Sequence, residues 1–166
     1  MSAEDGALIH WEWLPFGQLD CQRLYALLKA RAEVFVIEQN CAYQDLDGCD
    51  AGAWHLMGWH RDDTLAAYLR VLPPGSKFAE HCIGRVLVGA AFRGQSLGRE
   101  LMLRGLARIE ESFGQVPLRI AAQSHLESFY SSFGFVRCSD SYLEDGIEHV
   151  EMLRADGAVH PHTRAT

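Results

Sequence analysis

Seven consecutive residues, Arg93-Gly94-Gln95-Ser96-Leu97-Gly98-Arg99, have the types and spacing to hold an anion. Two glycines let the backbone turn tightly and approach a ligand, and a helix starting here would aim free N–H groups and its positive dipole end at negative charge. A pyrophosphate is the natural guest, and Arg93 and Arg99 bracket it with charge-assisted donors. The spacing is neither G-x-x-x-x-G-K-[ST] nor G-x-G-x-x-G, so nucleotide hydrolysis and dinucleotide binding lack their required residues. On these residues alone, a glycine turn with a solvated basic helix start is an equally good reading.

Further along, Phe129-Tyr130-Ser131-Ser132-Phe133-Gly134-Phe135 offers a phenol. Taken alone, Tyr130 belongs to the helical stripe Leu126, Phe129, Tyr130 and Phe133, which is the pattern of a core face. The acidic run Asp45-Leu46-Asp47-Gly48-Cys49-Asp50 could draw a cation to its mouth. The order D-x-[DN]-x-[DN]-G is broken there, however, and no closing Glu follows, which speaks against calcium. His55 and His60 lie five apart on an expected strand and so face opposite ways. His160 and His162 are too isolated to argue a metal site, and no metal is expected.

The anion loop must be positioned by its flanks. Ile83 to Val88 is strongly β-prone; after the loop, Met102, Leu106, Ile109 and Phe113 recur on one helical face. Leu118 to Ala122 reads as the next strand. The helix after it opens with Ser124 and Glu127 at capping-box spacing, and Gly134 stops it. Upstream, Ile9 to Leu14 alternates as a strand, Pro15-Phe16-Gly17 breaks it, and Asp20 is placed to cap a helix carrying Leu24, Leu27, Leu28 and Phe35. Residues 38–52 have no period and read as a long loop, a kind that is often functional. Trp54 to His60 and Leu65 to Leu72 form a hairpin across Arg61-Asp62-Asp63-Thr64. Val136 and Ile147 to Leu153 are expected as closing strands around the turn Glu144-Asp145-Gly146, and residues 155–166 as a loose tail after a single domain spanning 1–154.

Composition agrees with one folded domain. The chain has 166 residues, 48% hydrophobic and 22% charged, enough for one core and short for two. Its net charge of −7 lacks the basic footprint that nucleic-acid binding needs; a negative field favours encounter with cations such as amines, while a solvated acidic surface that only aids solubility is the commoner reading. Met1 to Gly6 has no basic region leading into an apolar core, and Val86 to Phe92, the longest apolar run, is far short of the ~18 residues of a membrane helix. A cytoplasmic protein without a membrane partner is expected. The cysteines 21, 41, 49, 82 and 138 are odd in number and contain no C-x-x-C pair, which argues for reduced thiols.

A strand, R-G-x-x-x-G opening a helix, then a strand and a helix ending F-Y-x-x-x-G-F resembles the GNAT acetyltransferase family. The likeness is carried by Ile83 to Phe135 and extends to the whole chain. Phe35-Val36-Ile37-Glu38-Gln39-Asn40-Cys41, Tyr43-Gln44-Asp45 and Glu144-Asp145-Gly146-Ile147 with His149 are similar to the ElaA-type subgroup. The resemblance implies a mixed α+β fold: a mostly antiparallel twisted sheet of about six to seven strands, flanked by about four helices, with a V-shaped splay between the fourth and fifth strands. It implies that Val86, Leu87 and Val88 offer backbone groups to the pantetheine arm of acetyl-coenzyme A. Residues Arg93, Gly94, Gln95, Ser96, Leu97, Gly98 and Arg99 would hold its pyrophosphate, with Gln123 and Phe129 beside the cofactor. Tyr130 would be the general acid.

That last role is chemically reasonable: a thiol of pKa ~8.5 departs as thiolate, and a phenol of pKa ~10 can share a proton with it where water is scarce. The acceptor would be a primary amine of a small molecule, peptide or protein lysine, and an ammonium of pKa ~10.4 must lose a proton before it attacks. Glu38 and His149 are the candidate base or substrate contacts; His125 is a third candidate, with a plain surface histidine as the alternative. Three positions depart from the family's pattern: Ser96 stands where a glycine is usual, which requires ordinary backbone angles there, Gln123 where Asn is common, and Leu126 where Ala is common. A homodimer is among the expectations. A domain that binds or senses acyl-coenzyme A without turnover is the alternative function.

Overall fold

In the computed structural model, which describes residues 9–156, the first strand β1 (His10–Pro15) ends where the chain enters a 3-10 turn at Phe16–Gln18. Asp20 then caps α1 (Cys21–Arg31) as expected, its side chain accepting from the Arg23 N–H. The helix does not stop at Arg31. It widens into a π-helical segment, Ala32–Glu38, whose looser winding changes the direction of every side chain after it.

The hairpin of β2 (Trp54–Trp59) and β3 (Leu65–Leu72) comes next, then β4 (His81–Val88), α2 (Leu97–Phe113), β5 (Leu118–Gln123) and the short α3 (Glu127–Ser131). β6 (Val136–Arg137), β7 (Tyr142–Glu144) and β8 (Ile147–Arg154) close the fold. The strands make one sheet in the order β1-β2-β3-β4-β5-β8-β6, with β7 on β8. All its pairs are antiparallel except β4 with β5. The architecture is therefore the mixed α+β sheet anticipated. Among the described residues it has eight strands and three α-helices, β7 being the strand that the sequence reading lacks. Asp145 and Gly146, with φ of 51° and 78°, make the turn joining β7 to β8, a two-residue geometry that suits Asp-Gly.

Alternation along the strands divides the core into two layers. Leu56, Leu69, Val71 and Ile83 pack with Leu97, Leu101, Met102, Leu106 and Ile109 of α2 on one face. Met57, Tyr68, Leu65 and Leu87 pack with Leu24, Leu27 and Leu28 of α1 on the other. Each fully buried aliphatic side chain stabilises the fold by about 1.5–3 kcal/mol. Gly105 lets α2 lie close on β3, since a Cβ there would sit 2.7 Å from Leu69 Cδ2.

One local expectation fails. Ser124 does not cap the following helix: a 3-10 turn at Ser124–Leu126 precedes it, the cap position falls on Leu126 without a side-chain bond, and Ser124 Oγ is buried without a partner. The tight turn moves the helix start to Glu127 itself, so the serine and the glutamate no longer bracket a helix entrance. Gly134 terminates α3 as read, with φ 88° and its N–H bonded to Ser131 O at 3.0 Å. The expected loose tail lies, from residue 157 on, outside the described residues, as do His160 and His162.

Candidate active site

The site is an opening in the sheet. β4 and β5 pair only at His81↔Leu118 and Cys82↔Arg119; beyond Cys82 the strands part, while β5 stays paired with β8 up to Gln123↔His149. This is the V-shaped splay expected between the fourth and fifth strands. It frees the β4 edge carrying Val86, Leu87 and Val88 from its parallel neighbour.

At the mouth of the opening stands the anion loop. Gly94 has φ 77°, a turn that glycine makes without steric cost, and α2 begins at Leu97 with the unpaired N–H groups of any helix start. Ser96 corrects one expectation: its φ of 59° and ψ of 14° are left-handed. A residue with a Cβ is strained there by about 1–2 kcal/mol, so the loop keeps glycine-like geometry without the glycine. Gly98 sits where strand, loop and α3 meet, its Cβ direction pointing at Val88 Cγ2 (3.7 Å) and Phe129 Cζ (3.9 Å).

The two bracketing arginines behave differently. The Arg99 guanidinium stacks over the Phe133 ring, 5.3 Å from its centre. Arg93 turns back: Nε donates to Val88 O at 3.0 Å, and Nη1 and Nη2 donate to the two Glu38 carboxylate oxygens at 2.6 and 3.0 Å. Hydrogen bonding from Arg93 holds the Glu38 carboxyl below its ordinary range. Glu38 thus reaches across from the π-helical segment to the loop that opens α2.

Tyr130 is 5% exposed, edge-on to Phe129 at 5.1 Å and to Phe135 at 6.3 Å. Burial pushes its phenol up to about 12, so the ring carries its proton throughout the physiological range. His149, on the far side of the opening, places Nδ1 2.8 Å from Ile147 O. A carbonyl can only accept, so Nδ1 is the nitrogen that donates there, which in the neutral ring leaves Nε2 as the acceptor. That Nε2 lies 3.8 Å from Glu144 Oε2, and the ring stacks on Tyr142 at 6.0 Å. Gln123, the cross-strand neighbour of His149, donates from Nε2 to Gln39 Oε1 at 3.2 Å. Since Gln39 adjoins Glu38, one connected set runs from the anion loop through the end of the first helix to β5 and β8. His125 is on the surface, apart from it.

Gln39, Tyr142 and Glu144 enter the site without having been singled out as site residues. Gln39 and Glu144 had a sequence signal in their membership of the ElaA-like segments, and Tyr142 had none. The acidic loop, by contrast, is not an open cation trap. Asp45 accepts from Arg31 Nε and Arg85 Nε at 2.8 and 2.7 Å. Asp47 takes a bidentate bond from Arg70 at 2.8 and 2.7 Å, and Asp50 accepts from Arg31 and Arg70 at 2.6 and 2.8 Å. Burial raises the Asp47 carboxyl, but the hydrogen bond from Arg70 and its other partners outweigh it and hold the group well below the carboxylate range. These carboxylates serve the fold's own arginines. Among the described residues no cluster of His, Cys, Asp and Glu could hold a metal, and no helix is long and apolar enough to cross a membrane.

A splayed β4–β5 pair, a glycine-turned loop at a helix N-terminus and a buried tyrosine thus make up the candidate site. The family model for the acetyltransferase (GNAT) domain matches residues 24–155, and this chain belongs to the GNAT acetyltransferase family. It is similar to protein ElaA of Escherichia coli (strain K12), with 42% identity over 149 residues, 89% of this chain and 97% of that protein. The crystal structure of Escherichia coli ElaA superposes with a TM-score of 0.83, covering 89% of this chain and 99% of that one. An acyl-CoA N-acyltransferase from Pseudomonas aeruginosa superposes with a TM-score of 0.85 at 44% identity, over 89% of this chain and 99% of the other.

Proposed function

We propose that this chain transfers an acetyl group from acetyl-coenzyme A to a primary amine by direct attack of the amine on the thioester carbonyl. The observation that carries this reading is the parting of β4 and β5 after two residue pairs, directly beside the anion loop. The residues fit the cosubstrate. Gly94 and the left-handed Ser96 shape a concave turn at the start of α2, which suits a pyrophosphate held by the amides of 94–98, with Arg99 alongside. Val86, Leu87 and Val88 would line the pantetheine arm, and Phe129 and Gln123 would flank the thioester end.

Tyr130 is the general acid: a phenol held protonated by burial donates to the departing sulfur in a water-poor setting, where a positioned proton donor contributes about 10²–10⁴-fold. His149 is the base, because the Ile147 carbonyl fixes the tautomer whose Nε2 can accept a proton from the amine. Glu38, held as carboxylate by Arg93, is a poorer base and a better contact for a cationic acceptor. The net charge of −7 favours arrival of such an acceptor.

The test is thiol release from acetyl-coenzyme A across polyamines, amino acids, aminoglycosides and lysine peptides, with calorimetry for the cosubstrate. Amine-dependent release establishes the reaction. Binding without release on any acceptor would favour an acyl-coenzyme A sensor. Tyr130→Phe should keep the cosubstrate affinity and lower kcat by about 10²-fold or more, by a similar factor from pH 6 to 10, because the phenol titrates above that range. Unchanged kcat removes Tyr130 from the chemistry.

A further inference from the structure

The freed edge of β4 owes its course to one irregularity. Across the β3–β4 pair, Tyr68 faces Leu87 and Arg70 faces Gly84, so the single residue Leu69 is opposed by two, Arg85 and Val86. This is a β-bulge, and it takes in Val86 and falls immediately before Leu87 and Val88. Arg85 sits in it with φ 52°, a left-handed conformation that a long side chain adopts only when its surroundings impose it.

The Arg85 side chain is held at several points. Arg85 Nε donates to Asp45 Oδ1 at 2.7 Å and Nη2 to the Asp45 carbonyl at 3.1 Å. Its Nη2 is also 3.4 Å from Asp47 Oδ2, and the guanidinium lies over the Tyr43 ring at 5.7 Å. The anchor is itself fixed. Asp45 is 5% exposed and takes further bonds from the fully buried Arg31 and from the Tyr43 hydroxyl at 3.1 Å, while Arg31 and Arg70 share Asp50. Arg70 is the residue opposite Gly84 on the other side of the bulge.

We infer that Arg85 is a positioning residue for the acyl donor: its ion pair with Asp45 holds the left-handed bulge, and the bulge sets the path of the backbone at Val86–Val88. This rests on the reading that those residues carry the pantetheine arm. The loop 39–52 then has a function, though not that of meeting the acceptor. It is the fixed block against which the donor strand is set.

Arg85→Ala, Arg85→Asn and Arg85→Gly separate this role from simple stabilisation, because all three lose the same ion pair but differ in tolerance for φ > 0, which rises from Ala through Asn to Gly. Two probes are titrated calorimetrically into wild type and variants: acetyl-coenzyme A, and 3′-phospho-ADP, the nucleotide half that reaches only the anion loop. Melting curves check that each variant is folded. The expected result is acetyl-coenzyme A affinity at least tenfold weaker in Arg85→Ala, intermediate in Arg85→Asn and within about threefold of wild type in Arg85→Gly, with 3′-phospho-ADP affinity level throughout. The KM for acetyl-coenzyme A should follow the same order. If Arg85→Ala does not fold, the order of Asn and Gly decides. Equal acetyl-coenzyme A affinity across the folded variants, or parallel loss of both probes, overturns the role of Arg85 while leaving the site intact. A wild-type protein that binds neither probe overturns the reading of the site, and this role with it.

Discussion

The two sides of the β4–β5 opening are held by different physics. On the side of α2 and α3, cohesion is apolar: Leu101, Met102, Phe133 and Phe135 are at most 1% exposed, and the polar groups that matter are main-chain amides at a helix start. On the side of the 39–52 loop, Arg31, Arg70 and Arg85 interlock with Asp45, Asp47 and Asp50. The apolar side gathers residues from Leu56 to Met152 into one cluster, whereas the charged side ties one loop to arginines no more than forty residues away. The cosubstrate would lie along the seam, so one wall of its site is set by packing and the other by ion pairs.

The largest effect should come from breaking the charged side. Arg31→Met removes a fully buried guanidinium and leaves Asp45 and Asp50 short of partners, which should cost about 3–5 kcal/mol. For a chain of this size that is a loss of roughly 10 °C in Tm, read by thermal melting. A loss of under 2 °C would mean that the network contributes only specificity.

A smaller effect separates the titrations on that side. His55 is buried, bonded through Nδ1 to the Tyr68 hydroxyl at 2.7 Å and through Nε2 to Asp50 O at 3.2 Å, and burial lowers its pKa. The unfolded chain therefore binds a proton that the folded one resists. Stability from His55 is complete above its unfolded value of ~6.5 and falls as pH drops below it, by at most about 1.4 kcal/mol per pH unit. Asp50, with its pKa raised by burial but lowered further by Arg31 and Arg70, gives stability that is complete above ~3.8 and is lost only below that. Melting from pH 7 down to 5.5 should thus fall in wild type and fall less steeply in His55→Gln, the remaining slope including His81, whose pKa burial also lowers. An unchanged slope would place the titration elsewhere.

The smallest effect lies on the apolar side and has the opposite sign. Ser96→Gly relieves the left-handed strain at the start of α2 and should raise stability by about 0.5–1 kcal/mol, the gain being reduced by the greater freedom of glycine in the unfolded chain. Denaturant titration checks it; destabilisation would show that the Ser96 side chain holds the loop.

The same contrast explains what could be read in advance. The anion loop, the helix after it and the stop at Gly134 rest on local patterns, and the likeness to a known family joined them to a splay between the fourth and fifth strands. The loop at 39–52 was recognisable as a loop, but nothing in Asp45, Asp47 and Asp50 says that arginines from a helix and two strands will claim them. Ion pairs leave no periodic trace, and an acidic run reads the same whether it faces solvent or an interior guanidinium. Ser96 and Ser124 failed for a related reason. Each has a residue type with a strong local preference, overridden by what the neighbouring elements require. β7 was missed because Tyr142–Glu144 is too short to show alternation.

The π-helical segment Ala32–Glu38 bears on how this site can change over evolutionary time. A π-helical turn closes its hydrogen bonds over one more residue than an α-helical turn, and each added residue rotates the remainder of the helix by about 100°. Glu38 faces Arg93 and Gln39 faces Gln123 because of where that rotation leaves them. One codon gained or lost in this stretch would turn both side chains away together, without disturbing α1 or the sheet. The contacts of Glu38 and Gln39 thus carry a setting adjustable by length, which one insertion or deletion changes together where substitution alone would need several coordinated steps.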